Sequence, residues 1–579
     1  MQLASRGGVT KPRPVPARAA RKPRRRRYDA ARVRRVLRQV FGLTTFRVGQ
    51  QQVVRSVIEG HDTLAVMPTG AGKSLCYQLP ALLLPGMTLV VSPLISLMKD
   101  QVEKLDDLGV DASHLNSALS RSEETAVLAG IRGRRPEFLL TTPERVTEPA
   151  FLATLKGRPI DLFVVDEAHC ISQWGHDFRP AYLGLAAARR QLGSPPLLAL
   201  TATATEQVVE DIRQRLEVES LAVFNTGIDR PNLRYEVVTA ADEDDKLAQL
   251  VRLLRELDGS GIVYTSTIAH VEALVPQLTA AGFDAAAYHG KMGSRARHDV
   301  QDRFMRGELT TMVATNAFGM GVDKPDIRYV LHYDLPGSLE AYYQESGRAG
   351  RDGAPARCVL LYRRQDRRTQ LFFMGGRYPR FSAIAAVYAA LEAEHARSGQ
   401  AVALAALKGQ VAGVGAARVR VVLAMMKDLG VVTQRRGGGW VPSGAAVDEQ
   451  TLEALTRAYE ERHARDLEKL ERMTQYAQTA LCRWKALAAY FGEAVTWSRC
   501  ERCDNCARPA APPPEPPPSA LPAPAGADDD SAAALHVGDL VQLPRHGIGE
   551  VQAVSGDKVE VAFPDGAVRK FRREFLLPA

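Results

Sequence analysis

Cysteine is scarce, with seven in 579 residues, too few for the disulfide framework of a small secreted fold. Long apolar runs are missing too. No uninterrupted stretch approaches the roughly 20 residues needed to cross a bilayer, and no apolar segment follows the basic start as in a secretory signal. Residues 1–27 contain no acid at all. Such an Arg-rich, acid-poor start would suit an organelle transit peptide, but Pro12, Pro14, Pro16 and Pro23 break the amphipathic helix that a transit peptide needs. These absences exclude secreted and membrane-spanning classes and leave a cytoplasmic protein with no membrane partner as the expectation.

What is present is ordinary for a globular chain: 45% hydrophobic and 24% charged residues, in a length that allows about four domains. The net charge of +9 is unevenly placed. Ten of the 75 Lys and Arg lie in residues 1–27, so the remainder has 65 basic against 66 acidic residues, or −1. The excess therefore marks residues 1–27 as a disordered basic tail seeking a polyanion, not a basic domain.

From Tyr28 to about Tyr235, short apolar runs (63–67, 88–91, 139–141, 162–165 and 197–201) alternate with longer helical stretches, the pattern of a parallel α/β sheet. The pattern recurs to about Tyr362, with strands expected at 261–264, 311–314, 329–333 and 358–361. Two α/β lobes in tandem follow, 28–230 and 231–377. Residues 378–445 read as a winged-helix-like segment: three apolar-periodic helices, then a hairpin tipped by Arg435 and Arg436. A long amphipathic helix leads into the cysteines of a helical module at 446–507. Residues 508–535 are a Pro/Ala-rich spacer, with nine prolines between Pro509 and Pro524. Residues 536–579 return to short alternating strands, expected as a small SH3/Tudor-like β-barrel.

Chemistry enters at Met67-Pro68-Thr69-Gly70-Ala71-Gly72-Lys73-Ser74, after a strand and opening a helix, as a phosphate-binding loop requires. Backbone N–H groups around Thr69, Gly70 and Gly72 would face the phosphates of ATP. Lys73 would neutralise β/γ oxygens, and Ser74 would offer its hydroxyl to Mg²⁺. Met67 stands where the strict loop pattern has its first glycine. The run Val164-Val165-Asp166-Glu167-Ala168-His169 delivers two carboxylates from a strand end: Asp166 for Mg²⁺, Glu167 for the attacking water. In the second lobe, Arg348 and Arg351 stand three residues apart and would complete the site when the lobes close.

The phosphate loop, Asp166-Glu167-Ala168-His169-Cys170, Phe46-Arg47-Val48-Gly49-Gln50, Leu200-Thr201-Ala202-Thr203-Ala204, Ala317-Phe318-Gly319-Met320-Gly321 and the arginine motif together resemble the RecQ family of superfamily-two DNA helicases. The resemblance spans roughly residues 37–365 and again 482–506. Its most specific part is Ile171-Ser172-Gln173-Trp174-Gly175-His176-Asp177-Phe178-Arg179-Pro180, similar to the family's aromatic-rich loop. It implies RecA-like lobes and an ATP-dependent 3′ to 5′ helicase acting in repair or recombination on single-stranded and forked DNA. Arg47 and Gln50 would read adenine, Arg351 would be the arginine finger, Arg348 would assist, and Thr201 and Thr203 would couple the lobes. Leu43 stands where many members carry an aromatic residue, so weaker discrimination among nucleotides, or base stacking by another residue, is expected. Trp174 and Phe178 offer faces on which unpaired bases can stack, at about 1–3 kcal/mol per base. His176 and Arg179, which make a poor core segment, are grouped with them as nucleic-acid contacts.

Cys482 with Cys500-x-x-Cys503-x-x-Cys506 supplies four thiolates for tetrahedral Zn²⁺. An iron–sulfur cluster is the rival, but the Cys-Pro that would complete that pattern is absent, and Ala507-Arg508-Pro509 stands there. In the family the winged helix follows the zinc module; here the winged-helix-like segment precedes it, and the family's closing helical domain does not appear in the sequence. Arg435 and Arg436 are expected on duplex phosphate or at the fork. Residues 536–579 look like small barrels at the ends of some other bacterial DNA helicases, implying a protein partner such as RNA polymerase and a nucleoid-associated location. An RNA helicase or duplex translocase, and a non-catalytic DNA-binding scaffold, stand as the alternatives.

Overall fold

The computed structural model describes residues 27–133, 137–172, 177–319, 324–377, 381–411, 414–428, 430–435, 438–443, 449–507, 536–543, 547–556, 558–563, 568–572 and 577–578. The basic tail up to residue 26 and the Pro/Ala spacer lie outside the described residues. Among the described residues no helix is long and apolar enough to cross a membrane.

The first lobe is a parallel sheet of β1 (Thr63–Val66), β2 (Met87–Val91), β3 (Ala112–Leu115), β4 (Phe138–Thr141), β5 (Ile160–Val165), β6 (Leu197–Thr201) and β7 (Ala222–Asn225), in the order β3-β4-β2-β5-β6-β1-β7. The inner strands β1, β2, β4 and β6 are buried along their whole length, because helices cover both faces, and so they read as continuous apolar runs. Register sets Val66 opposite Thr201 and Val91 opposite Val165. The carboxyl ends of β1, β2, β5 and β6 are thereby level, and the loops leaving them open on one side of the sheet, where ligands of open α/β folds bind.

The second lobe is a parallel sheet of β8 (Leu233–Thr239), β9 (Ser260–Tyr264), β10 (Ala285–Tyr288), β11 (Thr311–Ala314), β12 (Ile327–His332) and β13 (Ala356–Tyr362), ordered β10-β11-β9-β12-β13-β8. The zinc-module helices Glu449–Gln478 and Arg483–Tyr490 share its core. Leu470, Met473, Trp484 and Leu487 are fully buried with Tyr235 and Tyr342, and the Tyr235 and Trp484 rings meet edge to face at 5.0 Å.

Between helix Asp366–Arg377 and helix Glu449–Gln478, which pack on each other, the chain makes helices Phe381–Ser398, Leu404–Gln410 and Ala416–Asp428. An antiparallel pair follows, β14 (Val432–Gln434) and β15 (Trp440–Pro442). This segment has its own core around Ile384, Leu391, Leu407, Val422, Leu423 and Trp440. The described residues from His536 onward belong to a separate compact unit. In it β16 (Leu540–Leu543), β17 (Gly547–Ser555), β18 (Lys558–Ala562), β19 (Val568–Arg572) and β20 (Leu577–Pro578) make a small antiparallel sheet, ordered β19-β18-β17-β16-β20. Its core is Val541, Val551, Val559, Val561 and Phe563.

Candidate nucleotide, nucleic-acid and metal sites

The loop leaving β1 carries Thr69 to Lys73 into helix Leu75–Ala81. Gly70 and Gly72 adopt positive φ, 83° and 77°, which a residue with a Cβ reaches only under strain. The Gln50 side chain, 3% exposed, ties this loop to the segment before it. Its Nε2 donates to the carbonyls of Ala71 and Gly72, 3.0 Å each, and its Oε1 accepts from the Arg47 N–H at 2.8 Å. Arg47 in turn donates through Nη1 to the Gly70 carbonyl. The expected adenine readers thus also brace the phosphate loop. Leu43 is 44% exposed.

The turn leaving β5 presents Asp166 and Glu167. Asp166 receives Ser92 Oγ at 3.4 Å and the Glu167 N–H at 3.0 Å, and its backbone carbonyl accepts from Tyr182 Oη at 3.0 Å. Burial, and then the neighbouring Glu167 carboxylate, push the Asp166 pKa up to about 7, against an opposing pull from Lys73. Glu167 takes a left-handed backbone, φ 48°, a strained conformation costing about 1–3 kcal/mol that the surroundings must hold. Its Oε2 is buried 3.3 Å from His169 Nδ1, while that nitrogen hydrogen-bonds Thr201 Oγ1 at 2.9 Å. Thr201 Oγ1 also donates to the Thr203 carbonyl at 2.9 Å, so the two threonines sit directly behind the carboxylate pair. Lys73 donates to the Met67 carbonyl at 3.3 Å. Desolvation lowers its pKa, with Arg351 adding to the depression and Glu167 and Asp166 opposing it.

Arg348 and Arg351 come from the turn after helix Leu339–Ser346 of the second lobe. They line one cavity of about 670 Å³ together with Arg47, Thr69, Gly70, Gly72, Lys73, Ser74, Asp166 and Glu167. Arg348 is 6% exposed and donates through Nη1 to the Gly319 carbonyl. The two carboxylates, with Ser74 lining the same cavity, are oxygen donors of the kind Mg²⁺ prefers, and a cation would relieve both the burial of Asp166 and its repulsion by Glu167. The residues fit that ion.

A second cavity, about 760 Å³, is bordered by Phe178, Asn316, Ser338, Phe373, Arg462 and Lys469 among others, and shares Gly319, Gln344 and Arg348 with the nucleotide cavity. Phe178 is half-buried, with the Arg462 guanidinium 5.3 Å from its ring centre. Arg179 is committed within the loop, donating to Asp177 at 3.0 Å and to the Pro93 carbonyl at 3.4 Å. Trp174 and His176 lie outside the described residues, as does Arg436. Arg435 is exposed at the hairpin tip, its N–H bonded to the Gly439 carbonyl at 2.8 Å.

The sulfur atoms of Cys482, Cys500, Cys503 and Cys506 lie within 4.8 Å of one another. Tetrahedral Zn²⁺ with Zn–S near 2.3 Å sets its sulfurs about 3.8 Å apart, so the cluster fits the ion. Burial raises the Cys500 and Cys503 thiols. Burial works against Cys506 as well, but backbone N–H groups and the neighbouring thiols bring it down to about 7, favouring the thiolate that a metal needs. Sequence reasoning missed Arg230 between the lobes, and Arg462 and Lys469 on the long helix; no motif surrounds any of them.

Residues 47–212 match the DEAD/DEAH box helicase family, 245–353 the helicase conserved C-terminal domain, and 446–507 the RecQ zinc-binding family. The chain is 47% identical over 332 residues to a probable ATP-dependent DNA helicase RecS of Bacillus subtilis, covering 57% of this chain and 66% of that one. It is 44% identical over 345 residues to the ATP-dependent DNA helicase RecQ of the same organism, covering 59% and 58%. The match thus spans less than two thirds of the length of these relatives. Among solved structures, the helicase MrfA bound to DNA is similar at a TM-score of 0.51 and 18% identity, covering 74% of this chain and 64% of that one, a likeness of fold.

Proposed function

Because this chain belongs to the RecQ family of superfamily-two helicases, we propose that it is an ATP- and Mg²⁺-dependent DNA helicase, moving 3′ to 5′ on single-stranded DNA and opening duplexes in repair or recombination. One observation carries the reading: Lys73, Asp166 and Glu167 of the first lobe and Arg348 and Arg351 of the second line a single cavity, so turnover and lobe closure are the same geometric event.

In this reading Thr69 to Ser74 cradle the phosphates, and Lys73 sets its ammonium against the β/γ oxygens. Asp166 and Ser74 would hold Mg²⁺, which when bound supplies charge neutralisation at those oxygens. Glu167 orients a water and accepts its proton at a carboxylate oxygen. Arg351, with Arg348, offsets negative charge developing on the transferred group. Phe178 stacks an unpaired base in the adjoining cavity, and the residues shared by the two cavities join strand position to nucleotide state. Four cysteine thiolates hold Zn²⁺ structurally, behind the second lobe.

Residues 381–443 act as a winged helix whose Arg435 meets DNA phosphate, supported by three helices, a hairpin and an exposed arginine at its tip. The C-terminal sheet acts as an SH3/Tudor-like barrel recruiting a protein such as RNA polymerase, supported by its separate core. The basic tail tethers DNA by charge alone, in the cytoplasm and at the nucleoid.

Measuring ATP hydrolysis against single-stranded DNA, RNA and duplex tests this. Single-stranded DNA should stimulate most, and Lys73→Ala should abolish turnover. Preferential stimulation by RNA or duplex would favour the other motor classes, and no turnover at all would leave a DNA-binding scaffold.

A further inference from the structure

Arg230 lies in the linker between the lobes, in Asp229-Arg230-Pro231-Asn232, and its guanidinium spans the cleft. Nη1 donates to the Thr69 carbonyl at 2.6 Å and to the Gly347 carbonyl at 3.3 Å. Nη2 donates to Ala349 at 2.9 Å and Gly350 at 2.7 Å, and Nε to Asn232 Oδ1 at 3.4 Å. All five N–H donors of the fork are used, a pattern the three donors of a lysine cannot reproduce. We infer that Arg230 is a positioning residue that ties the phosphate loop to the arginine-bearing turn and so sets Arg348 and Arg351 at the nucleotide only in the closed state.

The bonds divide unequally. Asn232 Nδ2 also donates to Gly350 and Ala354, 2.8 Å each, so Arg230 and its neighbour are anchored to the second lobe, and the single bond to Thr69 is the one that crosses. Were the lobes to open, the bond to Thr69 would break, while those to Gly347, Ala349 and Gly350 lie within the second lobe and its linker and would persist. Space has been cleared for the arrangement. A Cβ on Gly70 would lie 3.1 Å from Arg230 Nη1 and 3.2 Å from Arg351 Cγ, and one on Gly350 would lie 2.3 Å from Asn232 Nδ2.

The zinc module grips the same linker. Glu493 Oε2 accepts the Ile228 N–H at 3.1 Å, Arg502 pairs with Asp229, and Trp484 Nε1 donates to the Leu233 carbonyl at 3.3 Å. Arg502 stands between Cys500 and Cys503 and lies 4.9 Å from the Trp484 ring centre. The module that carries the four cysteines therefore holds the backbone from which Arg230 reaches, through Glu493, Arg502 and Trp484.

This inference rests on the proposed ATPase, and its test separates the two. In the full-length chain, Arg230→Ala, Arg230→Lys and Arg502→Ala are compared with wild type by four readouts: kcat for DNA-stimulated ATP hydrolysis, nucleotide-free affinity for single-stranded DNA, melting temperature, and lobe closure. Closure is followed by a fluorophore pair on the two lobes when a non-hydrolysable ATP analogue is added. Losing a charge-assisted bond made only on closure should lower kcat of Arg230→Ala by about tenfold to a hundredfold and abolish the fluorescence change. DNA affinity and melting temperature should stay at wild-type values. Arg230→Lys should fall between, and Arg502→Ala should show a weaker loss with its zinc retained. Unchanged turnover and closure in Arg230→Ala would overturn the inference, as would a loss of kcat that only tracks unfolding. Should the wild type lack turnover, the proposed function fails, and the closure measurement still decides the role of Arg230.

Discussion

Replacing Asp166 with asparagine should stabilise the magnesium-free protein, and by an amount that grows with pH. Burial beside Glu167 raises the folded-state pKa of Asp166 to about 7 from an ordinary 3.8. A raised carboxyl pKa means that the folded state holds the proton more tightly than the unfolded state. Its stabilising contribution is complete below the unfolded value and is lost as pH rises through about 7. Such a rise corresponds to about 4 kcal/mol as an upper bound. Lys73 offsets part of this penalty, and the residue keeps some contact with solvent, which brings a realistic figure nearer about 2 kcal/mol. Asparagine keeps an oxygen for the Glu167 N–H and removes the charge. In EDTA, wild type and Asp166→Asn should melt together near pH 4 and separate by about 4–8 °C at pH 8, given roughly 2–4 °C per kcal/mol for a lobe of this size. Adding Mg²⁺ should then stabilise the wild type and leave the variant unmoved. A gap that is constant across pH, or a wild type more stable at pH 8 without Mg²⁺, would refute the placement of two mutually repelling carboxylates in a desolvated site.

Lys246 is fully buried, with its ammonium 2.8 Å from Asp366 and 3.4 Å from Asp334; Lys246→Met removes their shared cation, while Asp334 keeps His270 and Asp366 keeps Arg363, so the cost in urea unfolding should lie at the low end for a broken buried pair, about 3 kcal/mol, and be partly recovered by adding Asp366→Asn. Chelating zinc, or Cys503→Ser, should lower the melting temperature of the second lobe together with that of the zinc module, because Trp484 and Leu470 share the lobe's core; independent transitions would contradict this. Deleting residues 1–27 should weaken DNA binding at low salt and spare the maximal ATPase rate, and alanine at both Arg435 and Arg436 should flatten the salt dependence of forked-DNA binding by roughly two phosphate contacts.

The inner strands were legible in the sequence because burial on both faces makes them uninterrupted apolar runs, and five in the first lobe lie within two residues of expectation. Edge strands were not. In β3, Ser113 and His114 face partly outward, and β7 alternates half-buried and exposed residues, so neither forms a run. β10 is Ala-Ala-Ala-Tyr, whose alanines favour a helix in isolation and become a strand only by pairing with β11. The phosphate loop, the carboxylate pair and the cysteines were legible because their spacing is local. Arg230 was not, since its partners Thr69 and Gly350 stand 161 and 120 residues away in sequence. Arg179 shows the same limit: its bonds to Asp177 and to the Pro93 carbonyl, 86 residues away in sequence, depend on the fold and leave no local signal.

Residues 381–443 precede the zinc-binding segment in sequence, and in three dimensions the two helices that flank them touch each other. Helix Asp366–Arg377 and helix Glu449–Gln478 pack directly on each other, and the segment between them has a core of its own, with Leu423, Leu407 and Ile384 fully buried. A guest with its own core, between host helices that already touch, can be removed with the host core kept, although its helices Phe381–Ser398 and Ala416–Asp428 also pack on the two host helices and their loss uncovers those faces. Replacing residues 380–445 by a short Gly/Ser linker should therefore give a folded protein that keeps one zinc per chain and DNA-stimulated ATPase. The chief cost falls on the second cavity, where Val421, Ala424 and Met425 form part of the wall, so affinity for single-stranded DNA should drop while kcat at saturating DNA is preserved. Zinc content, kcat and the DNA concentration giving half-maximal stimulation distinguish the cases: loss of zinc would mean that the insertion is part of the platform, and an unchanged half-maximal concentration would mean that this wall plays no part in holding the strand.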